Sequence, residues 1–281
     1  MDDLLSLPSV ADLIAAALTE DIGHGDITTN LTVSPSSRST AQIVAKQAGV
    51  LAGLPLVKQV YVQLGHVTVE AHYADGDPLE DGALVAVLHG NTRALLSGER
   101  VALNLLQHLS GIATLTARFV QEVGETHCRI VDTRKTLPGL RALEKYAVRA
   151  GGGANHRFNL ADGILIKDNH IAAAGGVTAA IERARAGAPH TLKIEVECTT
   201  LEQVQEALAI GVDCILLDNM EVAQIAEAVR VIGGEALVEA SGNMTLARVR
   251  AVAQAGVDLI SVGALTHSAP AFDFSMKITS A

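Results

Sequence analysis

Apolar residues recur along the first part of the chain at two spacings. Val10, Leu13, Ile14, Ala17 and Leu18 fall on one stripe of a helix, with Ser9 placed to cap it and Gly23 to end it. From about residue 39 to 93 the pattern reads mostly as strands. Ala41-Gln42-Ile43-Val44-Ala45 and His66-Val67-Thr68-Val69-Glu70 are examples, separated from others by the turn signals Asp75-Gly76-Asp77-Pro78 and Glu80-Asp81-Gly82. A helical stretch follows from Ser97 through Val120.

Beyond residue 128 short branched runs alternate with amphipathic segments. The runs are Cys128–Val131, Gly163–Ile166, Leu192–Val196, Cys214–Leu217, Ala236–Ala240 and Leu259–Val262, with helical stretches such as Leu201–Ile210 and Val222–Val231 between them. Strand, helix, strand implies parallel pairing through right-handed crossovers. The pattern predicts an α/β fold: about six parallel strands in a closed or nearly closed barrel over residues 111–266, behind a mixed α/β N-terminal domain over 1–110. The segment 267–281 is expected to pack back on that first domain.

Composition narrows the class. At 281 residues and 49% hydrophobic, the chain can fill a large core, but aromatics are only 2% and Trp is absent, which disfavours stacking on single-stranded nucleic acid. A net charge of −10 disfavours DNA and anionic lipid. Met1-Asp2-Asp3 does not read as a basic leader, and no apolar run approaches the roughly 18 residues of a membrane span, so a cytoplasmic protein is expected. Cys128, Cys198 and Cys214 are too scattered for a disulfide framework or a zinc knuckle and read as small buried hydrophobes.

The candidate chemistry sits where each predicted strand ends, the rim on which α/β barrels build their sites. In order those ends carry Thr133-Arg134-Lys135, Lys167, Glu197, Asp218, Ser241-Gly242-Asn243 and Gly263-Ala264. Residues 131–170 hold seven basic residues (134, 135, 141, 145, 149, 157, 167) against four acids (132, 144, 162, 168), a basic rim on an acidic chain. That suits a small polyanion, since arginine grips carboxylate or phosphate at two points and lysine acts as a point charge. Arg141, Lys145 and Arg149, at i, i+4 and i+8, read instead as the solvated face of a helix. Glu197 and Asp218 can accept hydrogen bonds from sugar hydroxyls or hold a divalent cation. The last two strand ends suit phosphate, with His267 beyond them as a further donor. Gly151-Gly152-Gly153 leads into Asn155-His156-Arg157 and can let that loop close over a ligand.

Asp132-Thr133-Arg134-Lys135-Thr136-Leu137-Pro138-Gly139-Leu140-Arg141, Arg149-Ala150-Gly151-Gly152-Gly153-Ala154-Asn155-His156-Arg157 and Leu165-Ile166-Lys167-Asp168-Asn169-His170 together resemble the signatures of quinolinate phosphoribosyltransferases. The resemblance runs from Glu20-Asp21-Ile22-Gly23 to Val262-Gly263-Ala264-Leu265-Thr266-His267-Ser268. It implies an open α/β barrel with an N-terminal mixed domain, in a homodimer. The implied reaction joins quinolinate to phosphoribosyl pyrophosphate and releases pyrophosphate and CO2. By motif, Arg134, His156, Arg157 and Lys167 would hold the quinolinate carboxylates, with Thr133 beside them. Lys135 and Lys167 would face the pyrophosphate. Glu197 and Asp218 would bind ribose hydroxyls, with Mg²⁺ arriving on the pyrophosphate near them rather than fixed by the protein alone. Ser241, Gly242, Asn243 and the Val262-Gly263-Ala264 turn would cradle the 5′-phosphate, and Arg100 would reach the partner's site. One departure is Phe158-Asn159, where many members carry Leu-Gly. Two rival readings are a Schiff-base aldolase using Lys167 and a divergent relative linked to molybdate transport.

Overall fold

The computed structural model describes residues 7–280; Met1-Asp2-Asp3 lie outside the described residues. The chain begins with α1 (Pro8–Ile22), α2 (Ile27–Thr32), β1 (Arg38–Ala45), β2 (Gly49–Val50), α3 (Leu54–Leu64), β3 (Val67–Ala71), β4 (Pro78–Leu79), β5 (Leu84–Asn91) and the 32-residue α4 (Thr92–Val123). It continues through β6 (Arg129–Val131), α5 (Arg141–Ala150), β7 (Ile164–Ile166), α6 (Asp168–Ala174), α7 (Val177–Gly187), β8 (Ile194–Cys198), α8 (Leu201–Ile210), β9 (Cys214–Asp218), α9 (Val222–Ile232), β10 (Leu237–Ser241), α10 (Leu246–Gln254), β11 (Leu259–Ser261), α11 (Ala264–His267) and β12 (Phe274–Ser280). Two compact units result. One holds the chain through Ala117, Thr136–Gly152 and the residues from Leu265 on; the other holds Arg118–Lys135 and Gly153–Ala264.

In the first unit, β12, β1, β5 and β3 form an antiparallel sheet in that order. Burial along β1 alternates, with Ala41, Ile43 and Ala45 inward, as a half-solvated antiparallel strand requires. The last strand returns to this sheet, pairing Ala45 with Phe274 and Ile43 with Met276. Helix α1 starts on Pro8 and stops at Gly23 (φ 54°), burying Val10, Ile14 and Leu18. Ser9 is not its cap: Leu7 takes that place without a side-chain hydrogen bond, because Pro8 already sets the first turn.

A second correction falls on α5. Lys145 is only 1% exposed and its neighbour Glu144 is fully buried, while Arg141 and Arg149 are half-buried. Glu144 accepts from His108 Nε2 at 2.9 Å and from the Leu137 amide at 3.1 Å. The i, i+4, i+8 spacing identified a helix face but not what covers it.

In the second unit, β6, β11, β10, β9, β8 and β7 form one parallel sheet in that order. Strands consecutive in sequence are neighbours from β7 to β11, and β6 then pairs β11, so the sheet curls as a barrel that stays open between β7 and β6. Ala154 adds one rung beside β6, taking the Asp132 amide and giving its own amide to Ile130. Burial is continuous along β8, all five residues from Ile194 to Cys198, as expected of a strand covered on both faces. Local chemistry sets the helix limits. Thr200 caps α8 and Gly211 ends it in the left-handed region, while Glu221 and Gln224 form a capping box on α9. At the opposite ends of the strands, Asp213 and Asp258 accept the amides of Ile194 and Val238 at 2.8 Å. The polar end of the barrel is thereby left for chemistry.

Candidate active site

The C-terminal ends of these strands surround a cavity of about 780 Å³. Thr133, Arg134 and Lys135 enter it after β6, Lys167 after β7, Glu197 from β8 and Asp218 from β9. Ser241, Gly242 and Asn243 enter after β10, and His156 and Arg157 come from the loop following α5. Eleven of the residues selected by sequence therefore meet in one place. Val262, Gly263 and Ala264 do not line it: Val262 is buried, its amide bonded to Val131 O. His267 is exposed on α11 with Nδ1 2.6 Å from Ser268 Oγ, and Arg100 is exposed on α4.

Lys167 Nζ lies 2.6 Å from Glu197 Oε2, with Lys167 47% exposed and Glu197 10%. The ammonium is thus ion-paired and open to the cleft. Arg157 donates to Gly163 O at 2.8 Å; burial, and then the neighbouring Arg134 charge, pull its guanidinium below the usual arginine range. Two guanidinium groups whose like charges interact across a cleft are stabilised by an anion placed between them. The Phe158-Asn159 departure does not break the loop. Asp162 accepts the Phe158 amide at 2.6 Å and Asn159 Oδ1 accepts the Ala161 amide at 2.8 Å, which closes a compact turn.

On the far side, Asn219 (φ 55°), Gly242 (φ 87°) and Asn243 (φ 50°) all take left-handed backbone. The Asn219 amide bonds Ser241 O at 3.0 Å, Asn243 Nδ2 reaches Asn219 Oδ1 at 3.1 Å, and Arg248 ties the carbonyls of Met220 and Gly242 from behind. A Cβ on residue 242 would lie 2.2 Å from Asn219 Oδ1, so only glycine fits the turn.

His156 is held on every side. Its amide and the Asn155 side chain bond Asp132, its Nδ1 accepts the Arg157 amide at 2.8 Å, and its Nε2 lies 3.1 Å from Glu195 and 3.6 Å from Glu239. Since Nδ1 accepts, Nε2 carries the proton. Glu239, 1% exposed at the cavity floor, has no hydrogen-bond partner for Oε1 among the described residues. A buried acceptor left unpaired costs roughly 1–3 kcal/mol. Burial first, and the Glu195 charge second, raise the Glu239 carboxyl to about 7, against the opposing pull of His156.

Comparison with known proteins gives these features a family. The quinolinate phosphoribosyl transferase N-terminal domain matches residues 26–110, and the C-terminal domain of the same family matches 112–277. The chain belongs to the quinolinate phosphoribosyltransferase family. Among its relatives, a probable nicotinate-nucleotide pyrophosphorylase (carboxylating) of Bacillus subtilis strain 168 is 49% identical, over 92% of this chain and 90% of that protein. The Mycobacterium leprae nicotinate-nucleotide pyrophosphorylase (carboxylating) is 44% identical, over 95% and 96%. The crystal structure of NadC from Streptococcus pyogenes superposes with a TM-score of 0.94 at 47% identity, covering 97% of each chain.

In this member of the quinolinate phosphoribosyltransferase family, the cavity also contains residues that the sequence reading did not select as site residues: Leu160, Leu165, His170, Leu216, Asn219, Glu239 and Ser261. Asn219 and His170 follow strand ends and could have been found on that ground. Glu239 could not, because it lies within a run that reads as plain buried strand. His156, Glu195 and Glu239 bring ligand-type atoms within 4.8 Å of one another from three separate elements, so no sequence spacing announces them.

Proposed function

We propose that this chain transfers the phosphoribosyl group of phosphoribosyl pyrophosphate to quinolinate, yielding nicotinate mononucleotide, pyrophosphate and CO2. The observation that carries the reading is the gathering of Arg134, Lys135, Arg157 and Lys167 with Glu197 and Asp218 around one cavity of a chain whose net charge is −10. The activities for which its relatives are named, carboxylating nicotinate-nucleotide pyrophosphorylases, support it.

Arg134, Arg157 and Lys167 hold the two ring carboxylates, with Thr133 beside them. Lys135 and Lys167 stabilise the departing pyrophosphate while the quinolinate nitrogen attacks the ribose carbon. Glu197 and Asp218 accept hydrogen bonds from the ribose hydroxyls. Ser241, Gly242 and Asn243 cradle the 5′-phosphate, and the Val262-Gly263-Ala264 turn and His267 are assigned to the same phosphate role. His156, with both ring nitrogens engaged inside the protein, contributes by fixing Arg157. Mg²⁺ suits the rim as the companion of pyrophosphate. Glu197 and Asp218 offer hard oxygen donors, but Glu197 is already paired with Lys167, and the three-donor cluster among the described residues lies elsewhere. When bound, the ion supplies charge neutralisation to the leaving group. Lys167 is half-exposed and ion-paired, whereas a Schiff-base lysine needs desolvation, which argues against the aldolase reading.

A cytoplasmic setting belongs to the same proposal. Three buried free thiols support it, and no helix among the described residues is long and apolar enough to cross a membrane. The direct test is to incubate the protein with quinolinate, phosphoribosyl pyrophosphate and Mg²⁺ and to follow nicotinate mononucleotide. Absence of product in a folded sample would remove the proposal.

A homodimer in which Arg100 serves the partner's site completes the reading. Its support is the exposure of Arg100, and of the apolar Ile27, Leu31 and Val62, on the first unit. Co-expressing Arg100→Ala with Lys135→Ala subunits should then restore activity that neither variant has alone. With random assembly about half the dimers are mixed and roughly a quarter of all sites are intact, because two-fold symmetry provides two equivalent sites. No recovery in a sample containing heterodimers would show that Arg100 does not act across an interface.

A further inference from the structure

Two residues before the strand ends that line the cleft, the same inward faces carry a second layer of side chains. Glu195 lies beneath Glu197 on β8, and Glu239 beneath Ser241 on β10. Ring attachment and pyrophosphate release do not use this layer. The reaction as proposed nevertheless has a requirement that the rim cations do not meet. When CO2 leaves the ring, the carbon it leaves must gain a hydrogen.

We propose that Glu239 is the acid that supplies this proton, with Glu195 and His156 holding it in place. The inference rests on the quinolinate reading above. The geometry separates the two carboxyl groups by role. Glu195 receives the His156 Nε2 proton at 3.1 Å and the Cys214 thiol at 3.6 Å, as a carboxylate does. Glu239 is more deeply buried, stands 3.6 Å from the same imidazole, and has no donor to Oε1. The neutral acid therefore resides on Glu239, and it reaches the floor of the cavity. Among the described residues, the groups that act on it are Glu195 from β8, Ser261 from β11 and His156 from the loop, with Cys214 from β9 against Glu195. Its carboxyl, raised to about 7 by burial and the Glu195 charge, suits an acid working near neutral pH.

The step balances. The bond from ring carbon to carboxylate breaks, and its electron pair stays on that carbon beside the cationic ring nitrogen. Until it is protonated, that carbon can recapture the CO2 held in the cleft. The Glu239 proton forms the C–H bond, uses up the electron pair and lets CO2 depart, so net CO2 release depends on the donor. Glu239, now a carboxylate, is reprotonated from solvent through the open cleft, so one proton is taken up per turnover.

The test is a rapid-quench single turnover that follows pyrophosphate and CO2 separately. In the wild type both are released together. Glu239→Gln keeps the shape of the neutral acid but cannot give up a proton. It should release pyrophosphate at near the wild-type rate, while CO2 lags by about a hundredfold. The phosphoribosylated dicarboxylate then accumulates. Should the glutamine variant fail to fold, Glu239→Asp is read in the same way, its carboxyl withdrawn by one methylene. In the wild type, CO2 release should fall as pH rises through about 7, since the donor must be protonated, and pyrophosphate release should not follow it. Both products slowing together, or neither slowing, would overturn the role of Glu239 while leaving the transferase reading intact. A wild type inert toward both substrates would instead remove the parent reading.

Discussion

Lys167→Ala should lower kcat by about a hundred- to a thousandfold, the usual cost of removing one preorganised charge from a developing anion. The melting temperature should change little. Lys167 is 47% exposed, so its 2.6 Å pair with Glu197 is partly screened and contributes little to stability. In the proposed reaction the same ammonium would have a larger task, because pyrophosphate would gain charge as it leaves and Lys167 lines the cleft. Its loss also leaves Glu197 as an uncompensated carboxylate facing a polyanion, which adds repulsion to the missing attraction. Lys167→Arg should recover only part of the rate, since a guanidinium retains the charge but not the compact ammonium that meets Glu197. Circular dichroism, thermal melts and kcat measured per folded molecule check the expectation. A collapsed melting temperature with undiminished activity in the surviving folded fraction would make Lys167 structural.

The position of Lys167 was readable because a parallel barrel gathers its strand termini at one rim. Once six branched runs were recognised, the residue after each run became a site candidate. Strand ends at Lys167, Glu197, Asp218 and Ser241 therefore fell together without any contact being known. At the last strand β11 ends at Ser261, so the terminus that lines the cavity lies one residue before the Val262-Gly263-Ala264 turn that the apolar pattern suggested. Burial of acids was not readable at all. Glu144 and Glu239 are both nearly inaccessible, yet one sits on a helix with a charged pattern and the other within a strand run. What buries them is packing from segments far away in sequence, which periodicity does not encode. Ser9 misled for a local reason, since the proline before it already fixed where the helix could begin.

Quinolinate should exceed nicotinate in kcat/KM by about thirtyfold to a few thousandfold, corresponding to roughly 2–5 kcal/mol for leaving a partly buried charge without its partner. The argument starts from Arg134 and Arg157. Their like charges interact, and burial of Arg157 adds to the strain by pulling its guanidinium below the usual range. A dicarboxylate supplies two negative charges to this region, and arginine's two-point geometry suits each carboxylate. Nicotinate supplies one, so one cation stays unneutralised in a partly desolvated cleft. The missing carboxylate also removes the group whose departure makes the overall reaction irreversible. The same reasoning makes Arg157→Ala harm quinolinate more than nicotinate, narrowing the ratio between the two acids. Initial-rate kinetics with both acids at saturating phosphoribosyl pyrophosphate, in the wild type and in Arg157→Ala, measure that ratio directly. Equal kcat/KM for the two acids in the wild type would mean that the paired guanidinium groups serve the phosphates rather than the second ring carboxylate.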